Sequence, residues 1–530
     1  MPRTPSHRAL EALTGSRWAS VPEMIAARVR ATPDTPFLAK GERAWSYAEG
    51  WQEALRFAGL LAAEGLAGER VASFLPKAPE VLFAWFGGNA LGGSFLALDR
   101  QQKGDILAGI VERGRAPVLV TDRAGFAEMP PAARACFRLV VFADEPPGPA
   151  PAGQRWRGWS AVAAAAPAEP VGVGFDRPTV LIFTSGTTGR PKPVVVPHAM
   201  YTRGAAVMVD AFGYHAGDVF HDWMPLSHVG GQLHVTLCAI CAGARLVMFE
   251  RFSRHSFWQE VRAIGATVCG GFSNVIYLLS LPPPSPQDRQ HRLRMGMIAN
   301  NTPKAMADFE ARFGLQVIDT YGMSECEPLT LPLFGERAPP GSCGRINPDF
   351  EVAIVDSASD LPLPAGAVGR ILVRPRVPHV MMQGYEDDAA ATVAVWQNLW
   401  FHSQDLGRLD EHGFLYFVDR MKNAIRRGGE NVAAVEVERV LKTHPEVADC
   451  GVVGVDDPVV GQEVKAVIVP APGTAPAPAA LRAFALERMA AYMAPRYIEL
   501  RDKLEYSEVG KVRRETLGPA VAPVWDARGG

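Results

Sequence analysis

The sequence predicts an α/β protein, with a large multi-sheet N-terminal domain and a small α+β C-terminal domain. Three observations carry this. The chain has 530 residues, too many for one ordinary core. Its first third alternates helix-patterned and strand-patterned segments, as in a parallel sheet covered by helices. From about Val352 the pattern turns to short strands, and beyond the charged stretch DRMKNAIRRGGEN (Asp419–Asn431) a compact unit of helix and strands follows. The boundary falls near Arg420, giving domains 1–420 and 421–530.

The elements follow in order. Glu23–Arg30 and Tyr47–Glu64 carry apolar residues at helical spacing and read as amphipathic helices. Arg70–Phe74, Ser94–Ala97 and Pro117–Thr121 read as strands. The apolar run Val81–Leu98 approaches the length of a membrane span, but glycine pairs at Gly87–Gly88 and Gly92–Gly93 interrupt it. A helix, a tight turn and a buried strand are expected there, not a span. Glu145–Gln154 is a Pro/Gly-rich surface loop, which the Ala/Pro run to Pro170 is expected to continue. Strand runs return at Leu246–Phe249 and Val317–Asp319, then as EVAIVD, GRILVRP and FLYFVD. The C-terminal unit reads as helix Ala434–Thr443, strands Asp449–Val455 and Glu463–Val469, and one more helix after the loop Pro470–Pro478.

Composition narrows the function. Hydrophobic residues make up 48% and charged residues 21%, as expected of a soluble globular protein. A net charge of −2 argues against a nucleic-acid partner or an anionic membrane surface. The opening MPRTPSHRALEALTGSRW has no apolar core, so no secretory signal is expected. Seven scattered cysteines suggest reduced thiols and a cytoplasmic enzyme. Cys238 and Cys241 form a C-x-x-C with no second pair, and read as small buried residues on an apolar helix.

The chemistry starts at TVLIFTSGTTGRPKPVVVPH (Thr179–His198). Two strand-like runs flank a loop holding Thr184, Ser185, Gly186, Thr187, Thr188 and Gly189, followed by Lys192. Backbone N–H groups and hydroxyls of such a loop donate to phosphate oxygens, glycines permit close approach, and the lysine adds positive charge. The spacing is not that of a Walker A loop. Four further segments join it. PLSHVGG holds His228 beside glycines; VIDTYGMSECEP holds Tyr321, Gly322, Ser324 and Glu325. WFHSQDLGRLDEHGFLYFVDRMKNAIRRGGEN holds Asp405 and Arg420, and YSEVGKVRRETL holds Lys511. An aromatic ring such as Tyr321 stacks on a purine, and the carboxylate of Asp405 accepts ribose hydroxyls. Glu325 suits Mg²⁺, which takes one or two carboxylates beside phosphate oxygens. A lysine neutralises charge developing between an attacking carboxylate and the α-phosphate of ATP. Together these are the parts for making an acyl-adenylate.

On these motifs the sequence resembles the adenylate-forming superfamily of acyl-CoA synthetases, peptide-synthetase adenylation domains and luciferases. Within it the likeness is greatest to acyl-CoA ligases of the crotonobetaine/carnitine-CoA ligase type. The resemblance runs from about Val21 to Leu517. It implies that Thr184–Lys192 is a phosphate loop, that His228 gates the acyl pocket, and that Asn300, Asn301 and Thr302 lie beside adenine and acyl group. It implies nucleotide contacts for Asp319, Thr320, Tyr321, Gly322 and Ser324, a magnesium contact for Glu325, and ribose contacts for Asp405 and Arg420. Lys422 would be the hinge of a mobile C-terminal domain, Gly428 and Gly429 would line the tunnel for CoA, and Lys511 would be the catalytic lysine. The co-substrates implied are ATP, CoA or a carrier-protein pantetheine, and a carboxylic acid. The oligomeric state stays open, a homodimer included.

The sequence departs from the family pattern at three places. Pro193 stands where glycine is usual and should stiffen the loop exit. Asn300-Asn301-Thr302 replaces a small-residue stretch, and Ser403-Gln404-Asp405 replaces Thr-Gly-Asp. Gln404 is harmless beside the ribose carboxylate if it points outward, and crowds the site and slows one half-reaction if it points inward. The region WMPLSHVGG lacks an aspartate for an amino-acid ammonium. Gly230, Gly231, Gly270 and Gly271 are expected to leave room for a bulky acyl group, with Phe272 and Met323 as apolar walls. The expected substrate is therefore a bulky, hydrophobic acid.

Overall fold

The structure, a computed structural model, describes residues 17–184, 191–299, 303–421, 424–427, 430–457, 460–506, 512–518 and 524–528. Helix Tyr47–Ala63 starts where the sequence places it, because Ser46 and Glu49 form a capping box. Ser46 Oγ accepts from the Glu49 N–H at 3.2 Å, and the Glu49 carboxylate accepts from the Ser46 N–H at 2.7 Å. The apolar run resolves into helix Pro79–Ala90, buried on every side, a turn with Gly92 at φ +80°, and strand Phe95–Ala97. Gly87 permits the close packing of this helix on Tyr47–Ala63: a Cβ there would fall 2.3 Å from the Ala54 carbonyl oxygen. Among the described residues no helix is long and apolar enough to cross a membrane.

The Ala/Pro run does not continue the loop to Pro170. Strand Arg155–Gly158 and helix Trp159–Ala164 interrupt it. Trp156 anchors the strand edge-on against Phe126 and Phe142, each 5.3 Å between centroids, and the alanines that follow favour helix. Composition alone hid both elements.

Two large sheets build the N-terminal part. One has eight strands, in the order Gly384–Tyr385, Lys192–Pro197, Pro178–Thr184, Phe95–Ala97, Val71–Phe74, Val118–Thr121, Leu139–Phe142, Arg155–Gly158. It is parallel from Pro178–Thr184 onward, with the two strands on the other side antiparallel. The second has seven, in the order Gln316–Ile318, Met295–Ala299, Val268–Phe272, Val219–Asp222, Arg245–Met248, Pro36–Lys40, Arg43–Ser46, parallel except for the closing hairpin. Because those strands are parallel, the segments after Asp222, Phe272, Ala299 and Ile318 all leave from one edge. Ligands of open α/β sheets bind at that edge.

A third, antiparallel sheet includes Gly369–Pro375, Trp400–Leu409 and Leu415–Arg420. The smaller C-terminal domain has its own sheet, centred on Gly461–Pro470, with helices Ala434–Leu441 and Pro478–Leu486. The main apolar core runs from Val21 to Leu415, while a separate core runs from Ile425 to Ile498. Polar contacts join the two at Asp419. Its carboxylate accepts from the Val435 N–H at 3.3 Å and lies 3.4 Å from an Arg514 nitrogen; Arg514 also donates to Glu438 at 2.9 Å.

Candidate active site

Strand Pro178–Thr184 pairs antiparallel with Lys192–Pro197, and Thr184 opposite Lys192 is the last pair. The expected phosphate loop is thus the loop of a hairpin whose ends these two residues fix. Ser185, Gly186, Thr187, Thr188 and Gly189 themselves lie outside the described residues. Pro193 sits at the hairpin base opposite Phe183, near the strand start where a missing N–H is tolerated. Its carbonyl accepts from the Glu386 N–H at 2.9 Å.

Lys192 Nζ lies 4.9 Å from the centroid of the Tyr385 ring, and Tyr385 Oη donates to Glu325 Oε1 at 2.8 Å. Burial, then the neighbouring Glu325, push the Tyr385 phenol well above its ordinary range, so it remains a donor. Tyr385 was not singled out in the sequence. Its signal was faint: an aromatic residue in GYE, brought to the site by a two-residue edge strand.

The segment after strand Gln316–Ile318 carries the expected nucleotide contacts. Thr320 Oγ1 donates to the Thr330 carbonyl at 2.8 Å, and Thr330 Oγ1 accepts from the Tyr321 N–H at 2.8 Å. The Thr320 hydroxyl therefore braces the segment. Met323 and Cys326 exchange backbone hydrogen bonds of 2.9 and 2.8 Å, a tight turn with Ser324 and Glu325 at its tip. Asp319 and Gly322 flank Tyr321 and are half-buried.

Tyr321 Oη donates to Asp405 Oδ2 at 2.7 Å, and its ring stacks on Phe417 at 5.5 Å. Asp405 pairs in register with Arg420 on the adjacent strand, and Arg420 Nε lies 3.7 Å from Asp405 Oδ1. Tyr321, Asp405 and Arg420, far apart in sequence, therefore meet. Ser403 Oγ accepts from the Asp405 N–H at 3.1 Å and donates to the Ile371 carbonyl at 2.8 Å, so serine supplies a hydroxyl brace. Gln404 is exposed and points outward, with φ at +62°, a backbone region that favours glycine.

On the acyl side, strand Val219–Asp222 leads into Trp223–His228 and then into a π-helix, Gly230–Leu237. His228 Nδ1 accepts from the Gly230 N–H at 3.0 Å, which in the neutral ring puts the proton on Nε2. The glycines do not leave the expected open space. A Cβ on Gly230 would fall 2.7 Å from Met224 Cε; on Gly231, 2.2 Å from the Pro225 carbonyl oxygen. On Gly270 it would meet Met224 and Val235 at 3.4 Å, and on Gly271 Val275 at 2.9 Å and Trp223 at 3.3 Å. The chain's own side chains and backbone occupy the room these glycines make. Phe272 ends its strand one residue past Gly271, and Met323 is half-buried.

A buried ion pair holds this segment. Lys77 Nζ donates to Asp222 Oδ1 and to the Met224 carbonyl, with both side chains almost fully buried. Burial pushes the lysine down and the aspartate up from their ordinary values. Nothing local in the sequence marked the pair.

Asn300, Asn301, Thr302, Lys422, Gly428, Gly429 and Lys511 lie outside the described residues. Among the described residues no group of three or more His, Cys, Asp or Glu side chains is placed to hold a metal ion. Glu325 fits the magnesium expectation in another way. One of its oxygens takes the Tyr385 phenol and the second accepts no hydrogen bond among the described residues, as suits an ion shared with phosphate oxygens.

A strand edge with a braced turn, a hairpin beside it and a carboxylate held by Tyr321 and Arg420 suits a nucleotide-using enzyme. The chain belongs to the AMP-binding enzyme family: residues 25–386 match the AMP-binding enzyme domain and residues 436–511 the AMP-binding enzyme C-terminal domain. It is 32% identical over 493 residues to a crotonobetaine/carnitine–CoA ligase of Salmonella typhimurium, covering 90% of this chain and 93% of that protein. It shares its fold with ATP-bound MatB from Rhodopseudomonas palustris, at TM-score 0.83 and 23% identity over 94% of this chain and 98% of that one. The amide bond synthetase McbA from Marinactinospora thermotolerans has the same fold, at TM-score 0.80 and 24% identity over 93% and 98% of the two chains.

Proposed function

We propose that this protein is an AMP-forming acid–thiol ligase that activates a hydrophobic carboxylic acid and transfers it to CoA. The observation that carries this reading is the meeting of Tyr321, Asp405 and Arg420 beside the Lys192–Tyr385–Glu325 chain. In the first step an acid oxygen attacks the α-phosphorus of ATP and pyrophosphate leaves. Asp405 and Arg420 hold the ribose, Tyr321 and its neighbours Asp319, Thr320 and Gly322 bound the adenine, and Ser324 donates to phosphate. Lys192, at the hairpin base, adds positive charge beside the phosphates. Glu325 would hold Mg²⁺, which would screen phosphate charge. Lys511 stabilises the charge that develops between the acid and the α-phosphate.

In the second step the CoA sulfur attacks the acyl carbon and AMP leaves. We place the domain division at 420/421, with Lys422 as the hinge about which the C-terminal domain turns to withdraw Lys511 and present Gly428 and Gly429. The separation of the two apolar cores at this point supports the placement. His228 gates the acyl group. Trp223, Met224, Val235, Val275 and Met323 give the acyl side an apolar lining, which supports a hydrophobic acid.

Mass spectrometry of reactions with ATP, Mg²⁺ and a panel of acids, each with and without CoA, tests the reading. Acyl-AMP without CoA and acyl-CoA with it are expected. Acyl-AMP that persists after CoA is added overturns CoA as the acceptor and points to a carrier-protein pantetheine, or to an enzyme that performs the adenylation half-reaction alone.

A further inference from the structure

The acyl side carries one buried polar pair that the ligase steps leave unused. His234 lies on the π-helix four residues beyond Gly230 and is 7% exposed; Glu327 is 5% exposed. His234 Nε2 donates to Glu327 Oε1 at 2.9 Å, and His234 Nδ1 lies 3.1 Å from Met297 Sδ. Met297 pairs in register with Gly270 on the adjacent parallel strand. The Glu327 carboxylate rests on Gly322, where a Cβ would fall 2.2 Å from Oε2. Three pieces therefore bound the pair: the helix behind His228, the strands at Gly270 and Met297, and the turn from Gly322 to Glu325. These same pieces surround the proposed acyl group.

The neighbouring polar groups are already engaged. Tyr201 Oη donates to Gln232 Oε1 at 2.5 Å, Gln232 Nε2 donates to the Leu226 carbonyl at 2.6 Å, and Thr236 Oγ1 donates to the Gly231 carbonyl at 2.8 Å. Glu327 Oε2 differs, because among the described residues nothing donates to it. A carboxylate on a side chain as little exposed as Glu327 is costly, and apolar residues would line this wall at lower cost. Its charge also repels another carboxylate, so an acid bound here turns its reacting end away from Glu327.

We propose that Glu327, oriented by His234, is a specificity-determining residue that selects an acid whose apolar body carries a hydrogen-bond donor, a hydroxyl or amino group, away from the reacting carboxylate. This rests on the ligase reading above and adds a polar requirement to the hydrophobic acid. His234 acts through Glu327 as a positioning residue. Glu327 Oε2, to which no described residue donates, accepts from the substrate group.

The test compares acyl-AMP formation from phenylpropanoic acids carrying hydrogen, hydroxyl, amino or methoxy at the far ring position, with wild type, Glu327→Gln and Glu327→Leu. ATP-induced stabilisation against heat confirms that each variant is folded. Wild type is expected to favour a donor-bearing acid over its hydrogen and methoxy counterparts by about 100-fold in kcat/KM, mainly through KM, the upper range for a hydrogen bond to a charged group. Both variants are expected to reduce that ratio at least to about 10-fold. Equal use of all four acids by wild type, or an unchanged ratio in both folded variants, overturns the assignment while leaving the ligase reading intact. Acyl-AMP from none of the four in wild type overturns the assignment. Only if none forms across the wider acid panel as well does the ligase reading fall with it.

Discussion

Tyr385 donates its phenol to Glu325 Oε1 across 2.8 Å while its ring lies under the Lys192 ammonium. The contact ties an edge strand to the tip of the Met323–Cys326 turn and fixes the carboxylate assigned to magnesium. Tyr385→Phe keeps the ring beneath Lys192 and removes only the donor. The magnesium concentration needed for half-maximal adenylation should rise by about 10-fold, in keeping with the usual cost of losing a partner that orients a metal ligand. Magnesium titrations of both proteins check this; an unchanged requirement rules out an orienting role.

Lys77 and Asp222 form a buried pair, so removing one partner strands a charge. Lys77→Met should destabilise the fold by about 3–5 kcal/mol. Lys77→Met combined with Asp222→Leu should recover much of that loss, because no unpaired charge remains. Urea unfolding of the wild type, single and double variants gives the answer, and a double variant no more stable than the single one contradicts it.

Gln404 holds φ at +62° with its side chain in solvent. Gln404→Gly should stabilise the protein by about 1 kcal/mol, since glycine adopts this conformation without the steric cost. Denaturant midpoints at constant slope measure it. A destabilised glycine variant would mean that the glutamine makes a contact worth more than the strain.

His198 is fully buried at the start of helix His198–Phe212. Its Nδ1 accepts from the Val21 N–H at 3.2 Å, and its Nε2 has no partner among the described residues. Burial lowers its pKa from the ordinary 6.5 to about 3. The unfolded chain therefore binds the proton more readily, and stability falls as pH drops from 6.5 toward 3. The slope contributed should approach about 1.4 kcal/mol per pH unit. His198→Asn retains an acceptor for Val21 and should flatten this dependence by about that amount, read from unfolding curves between neutral pH and the acid limit. Parallel pH profiles for the two proteins would contradict the assignment.

How much was legible in the sequence depended on whether a residue acts through its neighbours in the chain or across it. The helix at Tyr47 and the helix–turn–strand run from Val81 were readable because caps, glycines and periodicity are local signals. Tyr321, Asp405 and Arg420 could be singled out because each lies in a recognisable motif, and the fold then brings them into contact, with strand pairing joining Asp405 to Arg420. Tyr385, Lys77 and the His234–Glu327 pair were not, since distant segments had to fold together before their contacts existed. The glycines around the acyl side misled for the same reason: only the fold reveals that Met224, Trp223, Val235 and Val275 fill the space beside them. Helix Trp159–Ala164 was missed because flanking prolines made an alanine-rich helix look like part of a loop.

The reaction proposed for this site is the formation of an acyl-adenylate. It is tested most directly by acid-dependent exchange of labelled pyrophosphate into ATP, with the wild type and Lys511→Ala side by side. Exchange in the wild type is expected only when an acid is present. In the variant, exchange should fall at least about 100-fold, the usual cost of removing a group that stabilises transition-state charge, while transfer of supplied acyl-AMP to CoA is largely kept. Exchange that is equally fast in the variant, or absent from the wild type with every acid tried, would contradict it.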